Sequence, residues 1–364
     1  MSFSTKYEEI IDKINMIDPI EYGRTRNYLN GAVTKLSPYI SRGVISTKQV
    51  AQIVLAKGFD PTEIESFLKE LAWRDYFQRV WVALGDDINN DIKQTQPDYR
   101  HTSMCNAVAT ANTGIKAIDS GINALKTSGY MHNHLRMYVA SIACNIGKSH
   151  WQMPAKWLYY YLLDADWASN ALSWQWVAGS FSSKKYYANQ ENINKYCHTN
   201  QSNTFLDVPY EKIEKISTPE VLKNTAPIAL RTVLPEKKAL DLNKELPTYI
   251  YNFYNLDCKW KQEMNANRIL LLEPSFFEKY PVCEKTIEFV LALSKNIPNI
   301  QVYVGEFGEL YSEIGNSAIH YKEHPTARHY KGAQHKREWI FEEVHDYYPS
   351  FFAYWKKCEK YIQT

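Results

Sequence analysis

The sequence lacks the features that mark several large classes of protein. Its six cysteines are scattered and form no CxxC pair, which argues against a zinc site or a thioredoxin-like motif and predicts reduced thiols. The N-terminus has no basic segment followed by an apolar one, and no apolar run is long enough to cross a bilayer. We therefore expect a soluble, cytoplasmic protein that has no membrane partner.

A strong excess of charge is also missing. The net charge is +2 over 364 residues, so binding of nucleic acid would need a local basic patch. Aromatic residues are plentiful instead, at 14% of the chain, with 27 Tyr and 10 Trp. This composition suits a protein that stacks on rings and transfers electrons, but it suits a dense helical core equally well.

Residues 130–137, with the sequence Y-M-H-N-H-L-R-M, gather polar groups on one side of a predicted helix. Helical spacing puts Tyr130, Asn133 and Met137 on one face, with Arg136 beside them. An amide, a guanidinium group and a thioether therefore converge.

Residues 164–176, with the sequence D-A-D-W-A-S-N-A-L-S-W-Q-W, form a second unusual stretch. Asp164 and Asp166 precede a segment in which Asn170 and Trp174 lie one helical turn apart. We interpret the two stretches as the walls of one pocket for a large polar, planar ligand. Spacing alone leaves an alternative open, in which both are core helices joined by an internal ion pair.

A helix is predicted to begin at Ser37, a good N-cap, and Pro38, a good first helical residue, and to run to about Lys57. Its N-terminus could bind an anion, or it could be an ordinary capped end.

On the following predicted helix, Glu70, Trp73 and Arg74 share a face with Phe67. A carboxylate and an arginine one turn apart usually form a solvated pair, but the neighbouring tryptophan favours a cleft.

The remaining pattern predicts a mainly α fold. Further helices are predicted over residues 5–16, 113–129, 130–148, 152–163 and 167–178. After a polar stretch the sequence pattern changes, with predicted strands at 268–273, 300–305 and 318–322, a helix at 283–295 between the first two strands, and a last helix over 339–362. We predict a helical domain at 1–206, a linker at 207–247 and a small α/β domain at 248–364.

These segments resemble the flavin-binding helical domain of the photolyase/cryptochrome family. Residues 130–137 are similar to the family pattern W-M-H-N-R-L-R-M, and residues 164–176 are similar to D-G-D-x-A-x-N-x-x-x-W-Q-W. Residues 33–37 resemble the T-S-x-L-S loop, and residues 70–76 resemble E-x-x-W-R-(D/E)-(F/Y). The resemblance covers most of residues 20–200 and implies FAD bound in a folded-back, U-shaped conformation.

The resemblance implies a set of cofactor contacts. They come from Tyr22, Thr34, Leu36, Ser37, Phe67, Glu70, Arg74, Asn133, Arg136, Asp164, Asp166, Ser169 and Asn170. In the family, the counterparts of Thr34, Leu36 and Ser37 hold the diphosphate, and an arginine–aspartate pair matching Arg136 and Asp164 lies beside the flavin ring. The amide of Asn170 would face N5 of the flavin.

The family's chemistry implies light-driven repair of cyclobutane pyrimidine dimers in single- or double-stranded DNA, by electron transfer from reduced FAD in a monomeric lyase. The residues carried over to substrate binding are Glu70, Trp73, Asn133, Met137 and Trp176. A cryptochrome-like blue-light photoreceptor without repair activity is the alternative. A flavin-binding or helical interaction protein without light chemistry is a third interpretation.

Several features depart from the family. Trp174 and Trp151 match two members of its electron-transfer chain, but the third position falls on Val108, and Trp157 or the tyrosines at 159–161 could substitute. His134 stands where relatives carry an arginine that touches DNA phosphate. The antenna domain that normally precedes the flavin domain is expected to be absent, and nothing in the trailing α/β segment identifies a second chromophore.

The α/β segment contains a stretch rich in histidine and basic residues. It contains His320, His324, His329, His335, Lys331, Lys336 and Arg337. A solvated face and a phosphate-contacting surface are both consistent with this stretch.

Overall fold

The computed structural model describes residues 3–315 and 317–362. The helices are α1 (Tyr7–Asn15), α2 (Pro19–Thr25), α3 (Ser37–Ser41), α4 (Thr47–Leu55), α5 (Glu65–Leu84), α6 (Asn106–Ala109), α7 (Lys116–Ser128), α8 (Asn133–Ala140), α9 (Gln152–Tyr161), α10 (Trp167–Ala178), α11 (Gln190–Cys197), α12 (Glu220–Lys223), α13 (Pro274–Lys279), α14 (Glu284–Ser294), α15 (Phe307–Ile314) and α16 (Phe351–Cys358). The strands are β1 (Met104–Cys105), β2 (Thr225–Ala226), β3 (Thr248–Tyr251), β4 (Asn267–Leu272), β5 (Ile300–Val304), β6 (Ile319–Lys322) and β7 (Ala333–His335). The chain is mainly helical with an α/β part, which confirms the predicted fold class.

The described residues form two compact units. The helical unit comprises Glu21–Val33 and Leu84–Leu230, and the mixed unit comprises the segment ending at Ile20, Thr34–Ala83 and the segment beginning at Arg231. The predicted domain boundaries near residues 206 and 247 stay predictions, and the predicted ends at residues 1 and 364 lie outside the described residues.

In the helical unit, capping residues set the helix ends where the sequence predicts them. Asp166 precedes α10, and its side chain accepts a hydrogen bond from the backbone N–H of Ser169. Gly129 ends α7 with a φ of 71°, and a Cβ there would lie 2.5 Å from Leu163 Cγ. Only glycine suits that conformation and that close approach.

The predicted pocket helix differs from the prediction at both ends. It begins at Asn133 instead of Tyr130, because the side chain of His132 accepts a hydrogen bond from the N–H of His134 and so caps the helix. After Ala140 the chain continues as a π-helix over Ser141–Ile146. Such bulges are rare and often lie at functional sites.

The mixed unit contains a sheet of five parallel strands in the order β5-β4-β3-β6-β7. This is the doubly wound order, in which the strand order reverses between β3 and β6. One face of the sheet packs on a core to which Ile250, Ile269, Leu271, Phe307 and Leu310 belong. The strands predicted at 268–273, 300–305 and 318–322 are confirmed, whereas β3 and β7 were not predicted.

The prediction of one continuous helix from Ser37 to Lys57 is wrong. The first helix, α3, ends at Ser41, and Ser46 caps a separate helix, α4, by accepting a hydrogen bond from the N–H of Gln49. At the break, Gly43 has a φ of 63°, and a Cβ there would lie 2.5 Å from the backbone oxygen of Tyr254. Packing against the segment after β3 therefore interrupts the helix.

The predicted last helix begins later than expected, at Phe351. The preceding backbone is bonded to side chains of α5: Ile340 N–H donates to Asp75, and Arg79 donates to the carbonyl oxygen of Phe341. Ser350 then caps α16 by accepting a hydrogen bond from Ala353 N–H. These long-range bonds replace the helical ones.

Candidate cofactor and substrate site

An ion pair joins α8 to the segment before α10. A terminal nitrogen of Arg136 lies 2.9 Å from Oδ2 of Asp164, as the sequence predicts. Arg136 Nε also donates to the carbonyl oxygen of Met131, at 2.8 Å, so the guanidinium group is held in one orientation. Asp164 is only 4% exposed. Burial raises the pKa of Tyr130, and the nearby Arg136 charge offsets part of this effect.

The first turn of α10 presents three polar side chains. Asp166 is buried and is engaged in capping the helix. Asn170 is buried, and its Nδ2 donates to the carbonyl oxygen of Ala155, at 2.8 Å, which leaves its Oδ1 as the end that can accept a hydrogen bond. The Oγ of Ser169 is buried and makes no hydrogen bond with any of the described residues.

Both predicted electron-transfer tryptophans, Trp151 and Trp174, are buried in the helical unit. The indole N–H of Trp151 donates to Asp91, at 2.7 Å, and its ring centroid lies 6.5 Å from that of Trp167. Val108, which stands at the third electron-transfer position, is also buried, and its side chain has no aromatic ring. Asp91 was not predicted, because it lies in an irregular segment without a periodic pattern.

A chain of rings leads outward from Trp151. His150 lies 5.8 Å from Trp151 between ring centroids, and Tyr99 lies 4.9 Å from His150. Tyr99 is 40% exposed. The suggested substitute rings Trp157 and Tyr159 are buried.

The predicted substrate residues of the helical unit are more accessible than its cofactor residues. Asn133 is exposed, and Met137 is partly buried, as is Tyr22, the predicted diphosphate neighbour. Trp176 is 39% exposed, and its ring lies 5.8 Å from that of Tyr186.

The other predicted site residues belong to the mixed unit. Phe67 and Leu36 are buried, and the rest are partly buried: Thr34, Ser37, Glu70, Trp73 and Arg74. The side chain of Trp73 stacks on Phe351 of α16, with ring centroids 3.7 Å apart and an interplanar angle of 11°. One face of Trp73 is therefore covered by a residue that sequence reasoning did not connect with it.

The structure thus groups the predicted residues in two sets. The helical unit holds Tyr22, Asn133, Arg136, Met137, Trp151, Asp164, Asp166, Ser169, Asn170, Trp174 and Trp176, and the mixed unit holds Thr34, Leu36, Ser37, Phe67, Glu70, Trp73 and Arg74. Within residues 3–315 and 317–362, no group of three or more His, Cys, Asp or Glu side chains could hold a metal ion. None of the helices in that part of the chain is long and apolar enough to span a membrane.

Comparisons with known proteins point to one family. Residues 67–214 match the family described as the FAD binding domain of DNA photolyase. A deoxyribodipyrimidine photo-lyase of Alkalihalophilus pseudofirmus is 31% identical over 148 residues, which are 40% of this chain and 31% of that protein. Cryptochrome DASH of Danio rerio is 31% identical over 166 residues, which are 43% of this chain and 32% of that protein.

A crystal structure of a cryptochrome from Synechocystis is similar over 54% of this chain and 44% of that one, with 24% identity and a TM-score of 0.49. The chain spans about a third of the length of the curated relatives it matches.

Proposed function

Because residues 67–214 match the family described as the FAD binding domain of DNA photolyase, we propose that the chain repairs cyclobutane pyrimidine dimers in DNA with light. The activity is that of a deoxyribodipyrimidine photo-lyase in the cytoplasm, acting as a monomer on single- or double-stranded DNA. The observation that carries the proposal is the buried polar group of the helical unit, formed by the Arg136–Asp164 pair, the Ser169 hydroxyl and the Asn170 amide.

The side chains of this group fit a flavin. Ser169 Oγ is buried without a hydrogen bond to any described residue, and an unsatisfied buried hydroxyl costs about 1–3 kcal/mol. A ligand that bonds to this hydroxyl would remove the cost. Asn170 has its Nδ2 committed to Ala155, so its Oδ1 can accept a hydrogen bond from a ring N–H such as that of reduced flavin.

The charges of the Arg136–Asp164 pair suit a ligand ring that carries a charge and has polar edges. The Arg136 guanidinium group is fixed by Met131 as well as Asp164, so it offers a positive charge in a fixed position. A fixed donor costs little reorganisation when the ligand changes its redox state. FAD, when bound, supplies the electron that light makes available to the dimer.

The substrate would be held by stacking and hydrogen bonds. Trp176 is exposed enough to receive a base, and base–aromatic stacking contributes about 1–3 kcal/mol per base. Asn133 is exposed on α8 and Met137 lies one turn further along that helix. Glu70 and Trp73, on α5 of the mixed unit, remain residues assigned by resemblance.

A cryptochrome-like photoreceptor without repair activity is the second candidate. Two observations favour it: Phe351 covers one face of Trp73, and Val108 supplies no ring at the third electron-transfer position. A photoreceptor tolerates both features, because it needs neither a free stacking face at Trp73 nor that outer ring.

The test is to purify the full chain, record its visible spectrum and follow blue-light reversal of cyclobutane dimers in an oligonucleotide. The proposal predicts a flavin spectrum and loss of dimers under light but not in the dark. Dimers that persist while the flavin is reduced normally would favour the photoreceptor. A colourless protein that takes up no FAD on reconstitution would overturn both.

A matched variant tests the cofactor site itself. Ser169→Ala removes the buried hydroxyl, so we expect FAD to bind about three- to tenfold more weakly, the equivalent of one neutral hydrogen bond. The apoprotein should be at least as stable to urea as the parent, because an unsatisfied polar group is lost. Ser173→Ala, on the same helix, is the control; equal FAD affinity in both variants would contradict the assignment of Ser169.

A further inference from the structure

Two histidines lie side by side at one edge of the sheet in the mixed unit. Strands β6 and β7 are parallel, with His320 opposite Ala333 and Lys322 opposite His335. Residues two apart on a strand share a face, so both imidazole rings project from the same face of the sheet. Nδ1 of His320 lies 3.2 Å from Nε2 of His335, and the ring centroids are 5.3 Å apart.

Buried aromatic rings hold both imidazoles in place. Tyr249 on β3 stacks on His320, with centroids 4.7 Å apart and an interplanar angle of 15°. Trp260 lies edge-on to His335, at 5.4 Å, and also contacts Tyr249, at 5.1 Å. Because Tyr249 and Trp260 are buried, the two histidines have little freedom to turn away from each other.

We propose that His320 and His335 form a two-histidine site for a divalent transition metal ion of the kind that prefers imidazole nitrogen, such as Cu²⁺, Ni²⁺ or Zn²⁺. A metal–imidazole bond is about 2.0–2.1 Å long. Two nitrogens bound to one ion at angles between about 90° and 110° are then roughly 2.9–3.4 Å apart. The separation of 3.2 Å lies within that range.

The site can be reached from solvent. Both side chains are partly exposed, so an ion can enter and water can complete its coordination.

The nearby charges limit the affinity. Lys322 lies 2.6 Å from Asp257, which offsets its charge, whereas Lys261 is exposed and repels a cation weakly. No third His, Cys, Asp or Glu of the described chain completes a larger cluster. We expect binding in the micromolar range, as suits a bidentate site that still holds water.

The experiment is a Cu²⁺ titration of the full chain without an affinity tag, at pH 7.5, followed by quenching of tryptophan fluorescence and by electron paramagnetic resonance. We expect saturation with one ion per chain and a spectrum with nitrogen ligands. His320→Asn and His335→Asn should each weaken binding at least tenfold, while His345→Asn, an exposed histidine of the same unit, should not change it. Circular dichroism verifies that each variant is folded.

Two results would overturn the proposal. One is the absence of saturable binding in the parent protein, which would leave the two rings as a hydrogen-bonded pair only. The other is equal binding by the parent and by both variants, which would place the ion elsewhere. Neither result depends on whether FAD is bound or dimers are repaired.

Discussion

The two units differ in whether their own side chains occupy the position where a ligand would be expected. In the mixed unit, the carboxyl ends of β3 and β6 mark the crevice where doubly wound sheets usually bind ligands. Here the guanidinium carbon of Arg42 lies 3.5 Å from the ring centroid of Phe253, His324 stacks on Tyr254 at 4.3 Å, and Trp81 packs edge-on against His324 at 5.0 Å. The protein's own side chains fill this position.

The helical unit leaves polar atoms available instead. Its Ser169 hydroxyl is buried without a hydrogen bond to the described residues, and the Asn170 amide has one end committed and the other able to accept. The polar atoms left open to a flavin are therefore in the helical unit, whereas the crevice at the carboxyl ends of β3 and β6 is expected to contribute stability. Strand order alone would have suggested the opposite assignment.

The largest effect on stability should come from a substitution of Trp81, which packs in the crevice of the mixed unit. Trp81→Ala removes a side chain that is 1% exposed and contacts Tyr254, Tyr280 and His324, so we expect a loss of about 3–5 kcal/mol in the free energy of unfolding. Urea unfolding measures it. Trp176→Ala, at a position 39% exposed in the helical unit, should cost less than about 1 kcal/mol.

The same pair of variants can break the comparison. If Trp81→Ala unfolds no more easily than Trp176→Ala, the crevice is not packed as described and a ligand could be sought there. If FAD content per folded molecule falls in Trp81→Ala alone, FAD binding depends on this crevice as well.

The next effect concerns the buried ion pair of the helical unit. Asp164→Ala leaves the Arg136 cation without its carboxylate, and we expect a loss of about 3 kcal/mol, the low end for breaking a buried pair, because Arg136 is still 21% exposed. FAD binding should be lost as well. Urea unfolding with and without FAD measures both.

Two controls separate charge from packing in this experiment. The double variant Arg136→Met with Asp164→Leu replaces the pair by apolar groups of similar size and should recover much of the stability without FAD binding. Glu309→Ala breaks a solvated pair with Lys237 in the mixed unit and should leave unfolding unchanged. An Asp164→Ala protein as stable as the parent would show that the pair is not buried in solution.

Local signals explain why much of the fold could be predicted. The ends of α10 and α7 follow from Asp166 and from Gly129, whose effects act within one helical turn. The break after Ser41 could not be predicted, because it depends on Tyr254, which is remote in sequence. Strand β3 was missed because four residues bounded by turn residues carry too little periodicity to separate a strand from a loop.

The candidate site divides in the same way. The Arg136–Asp164 ion pair is implied by the family resemblance of two segments, and the structure contains this ion pair. The stacking of Phe351 on Trp73 and the bond from Trp151 to Asp91 were not predicted, because both join segments without a shared pattern. Sequence identifies which chemical groups are present; only the tertiary structure shows which of them the protein itself has already satisfied.

The smallest effect tests a titrating contact at the sheet edge. In the mixed unit His329 Nε2 lies 2.8 Å from Oε1 of Glu273, and this hydrogen bond raises the pKa of His329 above its usual value of about 6.5. A raised folded-state pKa means that the stabilisation is fully present below the unfolded pKa and is lost as pH rises through the folded one. Because the His329 side chain is 55% exposed, we expect the contact to contribute only about 0.5 kcal/mol to the free energy of unfolding. Urea unfolding of the parent and of His329→Gln should therefore differ more at pH 6 than at pH 9, and a substitution of the exposed His345 by glutamine is the control. A difference that grows toward pH 9 would contradict this prediction, because it would mean that the contact stabilises the neutral ring instead of the protonated one.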